Sequence, residues 1–322
     1  MIGFLSNERY IKRDKINDKQ LESNMQIIAK NNDIYSQYIT EIYNEYKLLI
    51  RKKSIDIKEE LLGLTNVKKI SNNDITNCQV IVSPSHLNTY YIIRELNPHK
   101  EELMVICFDM HCDTYDTSDE LWKGNHFSRL LKEGYITDFV VFGVPKEKIN
   151  NTYSDVSVDI KDKVLISDNL DFKSVLIKYK PQRIFISIDI DVLDTRKSKY
   201  TAIDYCPHTV LECVSKLNVK DLLNDNSEEL IKGCVLIKNN LGYANLYKTG
   251  ENNISIELLC QKIKSIISYC KQNNIKLGFN NIFGDISELI GNDYNYKTLS
   301  VIIKLINALG GDINEKTIRR KS

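Results

Sequence analysis

RIFISIDID, residues 183–191, is a run of branched and aromatic apolar residues that ends in acid. Unbroken apolar character of this kind fits a strand buried on both faces, not the alternating pattern of a half-exposed one. Similar runs occur at QVIVS (79–83), LMVICFD (103–109) and DFVVFGV (138–144), with weaker ones at GCVLIK (233–238) and IKLGFNN (275–281). Helix-like stretches over 86–96, 126–134, 208–217, 256–273 and 298–309 lie between and after them. Strands that alternate with helices predict an α/β fold with a mostly parallel sheet. Asn17 to Leu62 contains neither Gly nor Pro and places apolar residues at helical spacing, which predicts two helices broken near Asn31-Asn32-Asp33. No linker or repeat divides the chain, so residues 1–322 are expected to form one domain with 17–62 as a helical extension.

Composition narrows the class. The chain of 322 residues carries 44 basic and 43 acidic side chains, a net charge of +1 that argues against a strongly basic nucleic-acid binder. No apolar run approaches the roughly 18 residues that span a bilayer, and the opening MIGFLSNERYIKRDK lacks the pattern of a secretory signal. The eight cysteines form no C-x-x-C pair, and several sit in apolar runs, which fits reduced thiols in a cytoplasmic protein.

In a parallel α/β sheet, ligands gather beyond the carboxyl ends of the strands. Three runs end in unusual side chains. The second ends in Asp109-Met-His111-Cys-Asp113, whose i, i+2, i+4 spacing would aim all three side chains one way on a strand. The fourth ends in Asp189-Ile-Asp191, and the first in Ser83-Pro-Ser-His86. Carboxylates converging without a basic neighbour are costly unless a cation lies between them. A set of oxygen and nitrogen donors without thiolate suits two borderline-hard ions, Mn²⁺ most naturally. Two such ions about 3.5–4 Å apart lower the pKa of a shared water toward neutrality.

DMHCD (109–113) resembles the D-x-H-x-D motif of the ureohydrolases, the arginase and agmatinase family, and SIDIDVLD (187–194) resembles their S-x-D-x-D-x-x-D motif. SPSH (83–86) stands in the place of their G-G-D-H and keeps only the His, and DISEL (285–289) resembles their late D-x-x-E segment. The resemblance spans about residues 78–310. It implies a three-layer α/β/α fold and a hydrolase that splits a guanidino group into urea and an amine. By the same resemblance, His86, Asp109, Asp113 and Asp189 would hold one Mn²⁺, and His111, Asp109, Asp189 and Asp191 the other. Asp113 would also take a hydrogen bond from the water nucleophile, and Glu288 would hold the substrate's cation. His126 would move protons, with Lys123 as the alternative if the loop aligns differently. The deacetylase relatives of this fold lack the third Asp that Asp113 supplies.

The departures bear on substrate. Where arginase has an Asn that helps recognise a free amino acid, this chain has Tyr115, followed by Asp116. The Pro- and Gly-rich stretch after the second Asp motif is replaced by TRKSKYTAIDYC. The expected substrate is therefore a small guanidino compound such as agmatine, or an arginine within a peptide, with no nucleic acid or membrane partner and with a homo-oligomer as the family's habit. A metal-dependent deacylase and a metal-stapled binding protein are the competing expectations.

Overall fold

A computed structural model of the chain describes residues 1–5, 19–20, 22–24, 26, 57–115, 120–146, 149–167, 171–193, 254–287 and 296–314. Its strands are β1 (Ile2–Leu5), β2 (Val67–Ile70), β3 (Val80–Val82), β4 (Met104–Phe108), β5 (Asp138–Phe142), β6 (Val164–Ser167), β7 (Arg183–Asp189), β8 (Lys276–Leu277) and β9 (Gly284–Ser287). Its helices are α1 (Ile57–Leu62), α2 (Asn88–Leu96), α3 (His126–Lys132), α4 (Ile149–Asp155), α5 (Phe172–Tyr179), α6 (Ile256–Gln272) and α7 (Tyr296–Ala308). The strands form one sheet in the order β2-β1-β3-β9-β7-β4-β5-β6, with β8 also paired to β7, and every pairing is parallel.

Successive side chains of a strand point to opposite faces, and both faces here are apolar. Met104, Ile106 and Phe108 of β4 join a cluster with Phe172, Leu259, Ile263 and Ile302, from α5, α6 and α7. Val105 and Cys107 of the same strand join Ile92, Ile93, Phe127 and Leu130, from α2 and α3. This gives the three layers of an α/β/α fold and explains why the β4 run, Met104–Phe108, contains no polar residue. Complete burial of each such side chain contributes roughly 1.5–3 kcal/mol. The helices carry matching stripes: Ile256, Leu259, Ile263, Ile266 and Cys270 form the buried face of α6. That helix starts where the Ser255 side chain accepts a hydrogen bond from the Leu258 amide at 3.2 Å.

Several expectations need adjustment. The run 275–281 is a strand only at Lys276–Leu277, because Gly278, Asn280 and Asn281 take positive φ and turn the chain. It re-enters the sheet as β9, which lies between β3 and β7 and was not foreseen. The opening residues Ile2–Leu5 are a buried strand that also was not foreseen. The strand 233–238, the helix 208–217 and the break at Asn31-Asn32-Asp33 lie outside the described residues, as do the segment 195–205 and most of 17–56. Cys78, Cys107, Cys112, Cys260 and Cys270 are free thiols, as expected, and all but Cys260 are buried.

The strand order determines where a site can form. From β4 the chain builds outward through β5 and β6, then returns to the other side of β4 as β7. The helix after β4, α3, lies on one face, and the next described helix after β7, α6, lies on the other. The carboxyl ends of β4 and β7 thus flank a topological switch point, where open α/β sheets leave a crevice.

Candidate metal centre

His86, Asp109, His111, Asp113, Asp189 and Asp191 all come together at that crevice. Strand alternation does not place them. β4 ends at Phe108, so Asp109, His111 and Asp113 lie in the loop beyond it, and Asp113 adopts a φ of 51°. The turn comes from Asp109 itself: its Oδ1 accepts a hydrogen bond from the His111 amide at 2.7 Å. The same device follows β7, where Asp189 Oδ1 accepts from the Asp191 amide at 2.9 Å. An Asp side chain that caps the amide two residues on curls the chain and frees its second oxygen. The Asp-x-His and Asp-x-Asp spacings are therefore turn chemistry. The two loops are tied by the Met110 amide, which donates to Asp191 Oδ1 at 3.3 Å.

His86 Nδ1 faces three carboxylates, Asp113 Oδ2 at 3.0 Å, Asp109 Oδ2 at 3.1 Å and Asp189 Oδ2 at 3.3 Å. His111 Nδ1 faces Asp191 Oδ2 at 2.9 Å and Asp109 Oδ1 at 3.5 Å. Asp109 thus presents one oxygen to each imidazole. His86 and Asp109 are fully buried, whereas the His111 side chain is 30% exposed. Gly143, at the end of β5 with a φ of 117°, makes room for this loop: a Cβ there would lie 2.8 Å from the Asp109 carbonyl oxygen and 2.4 Å from Val192 Cγ2.

Crowding of like charge shows in the titration of the group. Burial, then Asp191 and Asp113, push the Asp109 carboxyl up to about 6. Burial also opposes ionisation of Asp113 and Asp191, but the imidazoles beside them outweigh it and hold both below the usual carboxylate range. Burial would push His86 down, yet Asp109, Asp113 and Asp189 together raise it well above its ordinary value. His111 rises likewise against its burial, through Asp191 and Asp109.

The donors fit divalent ions. Bonds of about 2.1 Å place neighbouring ligands of an octahedral ion about 3.0 Å apart, the spacing seen around His86 Nδ1. Among the described residues, His86 Nδ1 and Asp109 Oδ2 are buried atoms without a hydrogen-bond partner. Such atoms are costly unless something binds them. His86, Asp113 and His126 offer ligand atoms within 4.8 Å of one another, as do Asp109, His111 and Asp191.

His126 begins α3 and is fully buried. Its Nδ1 lies 2.6 Å from the Lys123 carbonyl oxygen and 3.8 Å from Asp113 Oδ2, and its ring packs 4.7 Å from that of His86. A carbonyl only accepts, so Nδ1 carries the proton and Nε2 keeps a buried, unpartnered lone pair. Burial and the His86 charge push His126 down to about 3, leaving it neutral at physiological pH. Lys123 is exposed. Glu288 and Asp116 lie outside the described residues, and β9 ends one residue before Glu288. Tyr115 is half-buried and stacks on Trp122, with ring centroids 6.3 Å apart and planes at 20°.

Three residues behind the centre carried no assigned role in the sequence. Ser187 Oγ lies 3.2 Å from His86 Nε2, and Thr89 Oγ1 donates to Asp285 Oδ2 at 2.6 Å. Burial pushes the Asp285 carboxyl up, against the Thr89 hydroxyl, the His86 charge and the Ser187 hydroxyl. Asp285 was visible in the sequence as the Asp of the D-x-x-E-like segment but without a role of its own, and Gly284–Ser287 has no apolar run to mark it as a strand.

The parallel α/β/α sheet thus carries a buried His and Asp cluster, a candidate metal centre, at its switch point. A sequence model of the arginase family matches residues 57–198, a stretch that includes both Asp motifs, His86 and His126. Over that stretch, which is less than half of its length, the chain is similar to the arginase family. No curated protein matches the chain by sequence. Among solved structures it resembles formimidoylglutamase from Bacillus subtilis, at 18% identity over 74% of this chain with a TM-score of 0.45, and spans 63% of that protein's length. It resembles arginase from Bacillus subtilis at 12% identity over 97% of this chain and 98% of the other, with a TM-score of 0.45. Agmatine ureohydrolase of Thermoplasma volcanium is similar at 13% identity over 99% and 90%, with a TM-score of 0.41. No helix of the described residues is long and apolar enough to cross a membrane.

Proposed function

We propose that the protein is a two-manganese hydrolase that cleaves a guanidino group to urea and an amine. The observation that carries this reading is the shared Asp109, with one oxygen 3.1 Å from His86 Nδ1 and the other 3.5 Å from His111 Nδ1. That arrangement supports one ion on His86, Asp109, Asp113 and Asp189 and a second on His111, Asp109, Asp189 and Asp191. Two divalent ions there would supply a water ionised near neutral pH and a positive field for charge developing on the substrate. Asp113 orients that water by accepting its hydrogen bond. His126, neutral and with a free Nε2 lone pair, would accept a proton from the attacking water and pass it to the leaving amine. Glu288, directly after β9, holds the guanidinium.

The substrate is a small guanidine such as agmatine, or an arginine within a peptide, which would become ornithine. Support comes from Tyr115, which stacks on Trp122 and stands at the sequence position where the arginase motif has a polar Asn. Urea release tests the reading: protein reloaded with Mn²⁺ is incubated with arginine, agmatine, guanidinobutyrate and an arginine-containing peptide, with Asp109→Ala and Asp191→Ala as controls. Urea from agmatine, guanidinobutyrate or the peptide, absent in both variants, is expected. No urea from any of them, in protein shown to hold two ions, would overturn it. Turnover of free arginine equal to that of the peptide would overturn the substrate assignment alone.

A further inference from the structure

The residues that face the reacting groups leave one buried carboxylate unexplained. Asp285 is fully buried at the centre of the sheet, and its Oδ1 has no hydrogen-bond partner, while Oδ2 takes the Thr89 hydroxyl. Strand register sets it directly beside Ser187: the two are partners across β7 and β9 and share a face. Ser187, also fully buried, lies 3.2 Å from His86 Nε2. Among the described residues, Cys107 Sγ also lies on that side of the ring, 3.9 Å from the same nitrogen and too far for a strong bond.

We infer that Asp285 is a positioning residue for His86, acting through Ser187 to fix which imidazole nitrogen faces the metal centre. The inference rests on the two-ion reading above. When Nδ1 gives its lone pair to an ion, the one remaining ring proton must sit on Nε2. That N–H donates to Ser187 Oγ. A serine hydroxyl has one proton, so its own O–H must then turn to another acceptor, and the unpartnered Asp285 Oδ1 is the group beside it. Thr89 holds the other carboxylate oxygen and so prevents the side chain from swinging away. The imidazole is thereby locked in one tautomer and made more basic, which is how carboxylates behind a ligating His act in general. No comparable carboxylate lies behind His111 among the described contacts, so the effect belongs to one ion of the pair.

Calorimetric Mn²⁺ titration and electron paramagnetic resonance of the whole protein test this, comparing wild type with Asp285→Asn, Ser187→Ala and Thr89→Val. Asp285→Asn is expected to weaken one of two ions by about 10–100-fold and leave the other within about twofold. The spin-coupled pair signal of the wild type should give way to an isolated-ion signal at two equivalents of Mn²⁺. Ser187→Ala should do the same, which keeps the test open if Asp285→Asn does not fold. Thr89→Val should have a smaller effect in the same direction. Both ions bound as in the wild type by Asp285→Asn or Ser187→Ala would overturn the inference. So would equal weakening of both ions together with a lower melting temperature of the metal-free protein, the mark of a merely structural role. Wild type that binds no ion pair would overturn this inference and the two-ion reading together. Wild type that binds the pair but releases no urea would sink the hydrolase reading and leave this inference standing.

Discussion

The two halves of the donor cluster differ in depth. The His86 half is sealed, with three carboxylates in front of its imidazole and Ser187 and Asp285 behind it. The His111 half faces two carboxylates and keeps 30% of its imidazole exposed. Depth separates permanence from exchange. A sealed set of donors is fixed by the sheet and gives up an ion only if the fold opens, whereas a set at the rim trades with solvent and meets the substrate. Asp109 belongs to both halves, so the two are not independent.

The sharpest way to break the contrast is Asp109→Ala. Removal of the shared carboxylate should cost both ions, each by more than the roughly 100-fold that outer residues of metal sites are worth, as read by metal content after dialysis. A variant that retained one ion at full affinity would show that the halves do not share Asp109. His111→Ala should be milder, since it removes only the rim donor: one ion is lost and the sealed one remains, while activity falls to background. Next comes Gly143→Ala. Its Cβ would collide with the Asp109 carbonyl oxygen in a left-handed backbone, at a cost of about 1–3 kcal/mol in urea unfolding, and both ions should weaken through the displaced loop.

The smallest expected effect is that of pH. In metal-free protein the raised His86 pKa stabilises the fold below about pH 6.5, and that contribution is lost as pH rises through the higher folded value. Asp109, up at about 6, acts in the same sense, with stability falling between about pH 4 and 6. An ion must displace the His86 proton, so Mn²⁺ affinity should rise by up to about tenfold per pH unit for each proton released. The gain in melting temperature on adding Mn²⁺ should therefore be larger at pH 8 than at pH 6. An equal gain at both would show that no proton leaves with binding.

How much of this was legible in the sequence depended on where polar residues fell. The runs at β4, β5 and β7 could be read because both faces of those strands are covered by helices, which favours mostly apolar sequence. β9 could not, because Asp285 and Ser287 leave only a short strand of four residues of mixed character. The site residues His86, Asp109, His111, Asp113, His126, Asp189 and Asp191 were each visible as acids or imidazoles at strand or helix ends, and the fold brings all of them together. Their geometry was not visible. Alternation on an extended strand was the expected cause of convergence, but Asp109 and Asp189 instead curl the chain by capping the amides of His111 and Asp191. Ser187 was visible only as the first residue of the S-x-D-x-D motif and Thr89 gave no signal, since a hydroxyl in an apolar stretch is as common in an ordinary core as beside a metal centre.

β9 also has a consequence for the order of assembly. Among the described residues it is the one strand that joins β3 to β7, and with them the strands β2-β1-β3 to β7-β4-β5-β6. A chain still emerging from the ribosome has made every donor from His86 to Asp191 long before it has made Gly284–Ser287. Until then His86 follows the end of one half-sheet and the aspartates follow the ends of the other. The centre is thus completed late in synthesis: a chain cut short before β9 carries all six donors but lacks the strand that pairs the two half-sheets.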